Sequence, residues 1–376
     1  MRIAFDLRRI GNPGIGRYMK SLVESVAQAA PTDDYFLIVA PGTESLLPDA
    51  PGAERVFAGS PYYSVGEQIE LPRLIERYGI DLLHAPHFVV PVRKKCRTVV
   101  TIHDTIHLIY PQDLPSFTGR VYARLMMMTA VRVADRIIAL SGHAKSEIVR
   151  LLGAREAKIQ VVPHPGVSPE FFVRHDKVTL AETRAKFGIS GRYILYTGIF
   201  RERKNHIGLL RSFALLRQKQ KDVQLVIAGP LDKGEAILKG MAAKFGIADQ
   251  VVLTRFVSNE ELPALYFGAS VYACPSLYEG FGLTVLEAMA CGVPVVAHTG
   301  TSLPEICGDA ALLSDATQAE KFAAALEMAL EPGMMRDSLI ERGFQNVKRY
   351  SRDKCSTEVI RLYNELSGRT VQEVMR

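Results

Sequence analysis

No stretch of this chain approaches the ~18 uncharged apolar residues that a membrane-spanning helix needs. The longest helical run with lipid character, Val121 to Arg136, is interrupted by Arg124, Arg132 and Asp135. The opening MRIAFDLRR breaks its apolar run at Asp6, so it is expected to be a first strand and not an exported leader. The five cysteines, Cys96, Cys274, Cys291, Cys307 and Cys355, form no CxxC motif. Their wide spread predicts free thiols in a reducing compartment and no structural zinc. No block of five or more like charges occurs, so the clustered footprint of nucleic-acid binding is missing. No DxD-type carboxylate pair stands in a turn, His103 and His107 are four residues apart but His103 ends a strand run and so shares no helix with His107, and no metal is expected. Solenoid repeats and low-complexity segments are absent as well.

What is there is ordinary globular material. The chain has 376 residues, 48% hydrophobic and 23% charged, enough for a core in each of two domains. The net charge of +6 is diffuse. It suits an anionic substrate, a loose attachment to anionic lipid, or nothing beyond a solvated surface.

Short β-type runs alternate with helical stretches: RIAFDL (2–7), YFLIVA (35–40), DLLHA (81–85), RTVVTIHD (97–104), RIIALS (136–141) and IQVVP (159–163). A Pro-, Gly- and charge-rich stretch from Pro163 to about Gly191 reads as an interdomain linker. A second series follows at 193–198, 223–229, 250–256, 269–276 and 293–298, with helices at 261–269 and 284–292. The expected fold class is α/β, two doubly wound Rossmann-like domains facing across a cleft. Their expected extents are 1–170 and 171–352, with a C-terminal helix in 353–376 that packs back on the first domain. Ligands of such sheets sit beyond the carboxyl ends of the strands, so the chemistry belongs in strand-to-helix turns.

Four turns carry candidates. In SLYEGFGLTVLEAMACG a glycine-rich turn feeds a helix, which offers unpaired amides and a positive dipole end to a phosphate. Glu279 in that turn either accepts from sugar hydroxyls or caps the helix. Glu287, one turn further on, either accepts from a ribose or lies on a solvated face. In YTGIFRERKNH the loop brings Arg201, Arg203 and Lys204, two to three cations suited to a diphosphate. The first loop, RRIGNPGIGRY, has glycines in the order G-x-x-G-x-G, so the dinucleotide fingerprint fails. Gly14 and Gly16 still let a phosphate approach closely, or form a plain turn. His103, with Asp104 just past a strand, is a candidate donor to a sugar hydroxyl or a departing oxygen. His84, His87 and His107 read as packing or loop residues.

Taken together these segments resemble the retaining GT-B glycosyltransferases of the family 4 type, over nearly the whole chain. The E-x7-E segment from Glu279 to Glu287, the turn at Arg203, Lys204 and Asn205, and the His103-Asp104 pair carry the resemblance. The GIGRY segment (Gly14 to Tyr18) resembles the mannosyltransferase-like branch that builds bacterial surface polysaccharides. The resemblance implies a metal-independent hexosyltransferase without a cofactor. Its donor would be a nucleotide diphosphate-sugar, GDP-mannose first, with UDP- or dTDP-sugars next. Its acceptor would be a saccharide or lipid-linked saccharide on the first domain. It also implies that Glu279 binds the donor sugar and Glu287 the ribose. Phe281, Gly282, Leu283 and Thr284 would hold sugar and phosphate. Lys204 with Arg203 would neutralise the diphosphate, His103 would meet the 6-hydroxyl, Phe256 and Val257 would flank the base, and Gly14 and Gly16 would close over the phosphates. Many relatives carry arginine directly after the glycine ending the first strand of the second domain. This chain has Ile199 there, leaving Arg201 or Arg203 to substitute. The same fold also admits a nucleotide-sugar epimerase or a non-catalytic nucleotide-sugar-binding protein. The expected location is the cytoplasm, with peripheral contact at the inner membrane face through Arg120, Arg124, Arg132, Arg136 and Met126 to Met128.

Overall fold

The computed structural model describes residues 1–114 and 116–369. The chain divides into two compact units, one made of Met1–Pro165 with the chain from Tyr350 onward, the other of Gly166–Arg349. The first holds a seven-stranded sheet: β1 (Arg2–Asp6), β2 (Asp34–Val39), β3 (Glu54–Phe57), β4 (Leu82–Ala85), β5 (Arg97–Ile102), β6 (Arg136–Ala139) and β7 (Ile159–Val161). Its order is β3-β2-β1-β4-β5-β6-β7. The second holds six: β8 (Arg192–Thr197), β9 (Val223–Ala228), β10 (Val251–Arg255), β11 (Val271–Cys274), β12 (Val295–His298) and β13 (Ala311–Ser314), ordered β10-β9-β8-β11-β12-β13. All pairings are parallel. Strands covered by helices on both faces read as continuous apolar runs. In the second unit Ile194, Leu225, Ile227 and Val271 pack with Phe213 and Phe322.

Each sheet runs outward from its first strand in both directions. The order therefore reverses between β1 and β4 in the first unit, and between β8 and β11 in the second. Loops leaving adjacent strands there diverge to opposite faces and open a crevice at the carboxyl ends.

The sequence reading misses β3 and β13. Both are short edge strands, and β3 (ERVF) buries one residue of four, too little to register as a strand pattern. The stretch read as a linker also contains a helix, Lys177–Phe187. Asp176 accepts from the Thr179 amide at its start, and Gly188, left-handed at φ 69°, closes it. Only Thr183 of that helix is buried, so it shows no apolar period.

The last helix, Arg352–Ser367, packs on the helix Pro13–Ala29 within the first unit. Its Tyr363 hydroxyl lies 2.5 Å from Nδ1 of His84, whose Nε2 is 2.9 Å from Thr101 Oγ1. Thr101 Oγ1 is in turn 3.1 Å from the Tyr18 hydroxyl. His84 is fully buried in this chain of bonds, so its polar atoms are satisfied inside the core. Among the described residues no helix is long and apolar enough to cross a membrane.

Candidate active site

Two loops meet where the second sheet reverses. After β8 the chain makes a single turn, Glu202–Lys204, and Asn205 adopts a left-handed conformation (φ 51°) to enter the helix His206–Leu216. Asn205 Nδ2 donates to the carbonyls of Ala316 (2.9 Å) and Pro275 (3.3 Å), tying this turn to the loop after β11. The Leu277 amide donates to the Arg203 carbonyl at 2.7 Å, and the Tyr196 hydroxyl to the Lys204 carbonyl at 3.1 Å. The turn carrying the cations is thus fixed to the turn carrying the carboxylate by one backbone bond and the Asn205 side chain.

The result is an ion pair. Lys204 Nζ lies 2.6 Å from Glu279 Oε1, with each side chain 14% exposed. Burial pushes the Glu279 carboxyl up, but the Lys204 charge, its hydrogen bond and the Arg203 charge outweigh it and hold the group below the usual carboxylate range. The Glu279 amide donates to Thr301 Oγ1 (3.1 Å). Ser302 Oγ donates to the carbonyls of Glu279 (2.8 Å) and Phe281 (3.0 Å). Glu279 does not cap the next helix, which starts at Gly282, left-handed at φ 98°. A Cβ at Gly282 would come within 2.9 Å of Leu303, so a larger residue has neither the backbone nor the space. The amides of Leu283 and Thr284, in the first turn of Leu283–Ala290, lack intrahelical acceptors, an arrangement suited to an anion.

Glu287 is not on a solvated face. It is buried and accepts from the Tyr266 hydroxyl at 3.0 Å. That hydroxyl is 2.8 Å from Thr197 Oγ1, which is 2.9 Å from the Tyr272 hydroxyl. Phe256, beyond β10, is 77% exposed, with Val257 half-buried beside it. Arg201 donates to the Phe200 carbonyl, whereas Arg203 acts on Glu279. Ile199 is 38% exposed.

In the first unit His103 needs a correction. Its Nε2 is 2.9 Å from the Pro86 carbonyl, which can only accept, so Nε2 carries the hydrogen. Burial lowers its pKa, ahead of the opposing Pro86 bond and Asp104 charge. The neutral ring therefore presents Nδ1 as an acceptor, not the donor expected from sequence. Gly14 also reads differently. Its amide and that of Ile15 are already taken by Asn12 Oδ1, at 3.2 and 3.3 Å. Gly16 has a packing reason, since a Cβ there would lie 2.0 Å from the Ile10 carbonyl oxygen.

The helix Phe117–Val133 is apolar on its outer face through Phe117, Val121 and Leu125, at 76, 43 and 53% exposure. Met127 is buried and Met126 and Met128 are half-buried, so the three methionines are not that face. Arg124 and Arg132 are exposed, while Arg120 and Arg136 are half-buried on the carbonyls of Leu114 and Asp135.

Thr301 and Ser302 escaped the sequence reading. Their only signal was a polar turn, HTGTS, following the strand VPVVAH. Among the described residues no group of three or more His, Cys, Asp or Glu side chains is placed to hold a metal ion. All five cysteines are free thiols, and burial pushes Cys274 and Cys355 up to about 12.

A pair of order-reversed parallel sheets, with a lysine–glutamate ion pair where the second one reverses, fits a GT-B glycosyltransferase architecture. The Glycosyltransferase Family 4 model matches residues 14–171 and the Glycosyl transferases group 1 model matches residues 181–346, and the chain belongs to this family of GT-B glycosyltransferases. It is 29% identical to O-antigen chain mannosyltransferase B of Escherichia coli, over 97% of this chain and 100% of that protein. Its fold matches sucrose-phosphate synthase from Thermosynechococcus elongatus at a TM-score of 0.79 and 19% identity, covering 98% and 99% of the two chains. Anabaena HepE, solved in complex with UDP-glucose, matches at a TM-score of 0.78 and 17% identity, covering 97% and 100%.

Proposed function

We propose that this glycosyltransferase is a retaining, metal-independent hexosyltransferase of surface-polysaccharide synthesis. Its first-choice donor is GDP-mannose, ahead of UDP- and dTDP-sugars, and its acceptor is a saccharide or lipid-linked saccharide. The ion pair of Lys204 and Glu279 at the reversal point of the second sheet carries the reading, and the similarity to the O-antigen mannosyltransferase supports the sugar.

In the free protein the two groups neutralise each other. A diphosphate entering at the Leu283–Ala290 helix end draws the Lys204 ammonium to itself and frees the Glu279 carboxylate to accept sugar hydroxyls. The acceptor oxygen attacks the anomeric carbon on the face from which the diphosphate leaves, and the leaving phosphate oxygen takes the acceptor proton. Configuration is retained. Lys204, Arg203 and the helix amides stabilise the charge growing on the diphosphate, the task a divalent ion performs elsewhere. Glu287 is assigned to the ribose, Phe256 and Val257 to the base, and His103 Nδ1 to accepting from the sugar's 6-hydroxyl. The exposed stripe Phe117, Val121 and Leu125, in a helix without acidic residues and with Arg124 and Arg132 alongside, is assigned to an anionic bilayer.

Melting shifts with GDP-, UDP- and dTDP-sugars identify the donor, since a ligand of the native state raises its melting point. With that donor, Glu279→Ala and Lys204→Ala each lower kcat/KM about a hundredfold or more, and NMR of the product reports the retained anomer with a chelator present. Unchanged turnover in both variants, or an epimer formed from donor alone, would overturn the assignment.

A further inference from the structure

The first sheet also reverses its order, between β1 and β4, and the residues leaving those two strands form a second polar site. Arg8 is consumed there. Its guanidinium binds Asp6 twice, at 2.7 and 2.8 Å, and Glu67 at 3.0 Å, while Glu67 also accepts from Tyr122 at 2.5 Å. Both nearby carboxylates are therefore spoken for. The side chain of Arg9, next in sequence, makes no hydrogen bond or ion pair with any described residue. Its Nε is buried without a partner, and its guanidinium lies 4.9 Å from the ring centre of Tyr62 and 5.7 Å from that of Tyr63. The buried Nε is costly to leave unpaired, and the two terminal nitrogens have no partner among the described residues to compete with a ligand. Tyr63, whose ring lies beside Arg9, is held in the left-handed region at φ 62°, a strained conformation for a non-glycine residue. His87, leaving β4, shares Nδ1 with the Tyr62 hydroxyl at 2.7 Å, which leaves Nε2 without a hydrogen-bond partner among the described residues.

We propose that Arg9, on its shelf of Tyr62 and Tyr63 with His87 beside it, is an acceptor subsite that binds a phosphate or diphosphate group on the acceptor. A planar fork stacked on aromatic rings suits phosphate oxygens, and the rings offer an apolar surface to the sugar or chain next to it. The inference gives the acceptor of the proposed transferase a chemical class and rests on that reading for its purpose, though not for its binding. The phosphate belongs to a lipid-linked or to a soluble acceptor, and both present the same oxygens.

Inorganic pyrophosphate titrated calorimetrically into the full chain is expected to fill two sites. Lys204→Ala removes one. Arg9→Ala weakens the other about tenfold or more and Arg9→Lys weakens it less, with melting points little changed because the Arg9 side chain makes no hydrogen bond or ion pair in the fold. If Arg9→Ala binds like the parent, the subsite is refuted. If Lys204→Ala retains both sites while Arg9→Ala loses one, the donor reading fails and this one stands. Co-sedimentation with phosphatidylcholine vesicles doped with farnesyl diphosphate separates the sources. Loss of binding in Arg9→Ala places the phosphate on a membrane lipid, and unchanged sedimentation alongside the lost pyrophosphate site places it on a soluble acceptor.

Discussion

His84 and His206 are buried histidines whose pKa values lie far below the ordinary 6.5, at about 3 and about 4. Burial is the main cause for both, joined by the charges of His103 and Lys204 respectively. The folded state holds these rings neutral, and unfolding lets them take up protons. Their contribution is complete above about pH 6.5 and is lost as the pH falls toward 4, by about 3 kcal/mol for each at pH 4. Thermal melts from pH 7.5 to 4 should fall steeply below pH 6.5, and less steeply in a His206→Gln variant. Gly16 separates packing from ligand contact. Gly16→Ala drives a methyl into the Ile10 carbonyl and should cost about 3 kcal/mol or more. A normal melting point with a raised donor KM would instead make it a binding residue only.

At the scale of elements, Tyr363→Phe removes one bond from the buried chain Tyr363–His84–Thr101–Tyr18. The expected loss is about 1–3 kcal/mol by denaturant unfolding, because His84 Nδ1 stays buried without a partner. The helix Phe117–Val133 makes a prediction of another kind. Leu125→Glu with Val121→Glu should abolish flotation on anionic vesicles at low salt while leaving the melting point unchanged, since both positions are exposed. Most strands were legible because covered parallel strands are runs of Ile, Val and Leu. Lys177–Phe187 was not, because its apolar face is missing. The loops at Glu279 and Lys204 were legible as glycine, acid and base types after strands. The burial of Glu287 under Tyr266 was not, since it depends on a partner 21 residues away on another element. Nor was the tautomer of His103, which is set by the Pro86 carbonyl.

At the scale of the whole molecule, the strand series revealed two α/β units, with the last helix expected on the first. The chain leaves the first unit at Pro165 and re-enters it at Tyr350, so Gly166–Arg349 is an insertion between two parts of one body. A chain ending at Arg349 should lose the calorimetric transition of the first unit and keep that of the second, because only the first is deprived of a packed helix. Synthesis gives this arrangement a temporal order. The unit begun first on the ribosome is finished last, its groove over Pro13–Ala29 unfilled until the final helix emerges, while the inserted unit has all of its sequence by Arg349. The nascent first half thus carries an uncovered apolar face through most of translation, which is where a chaperone would be needed.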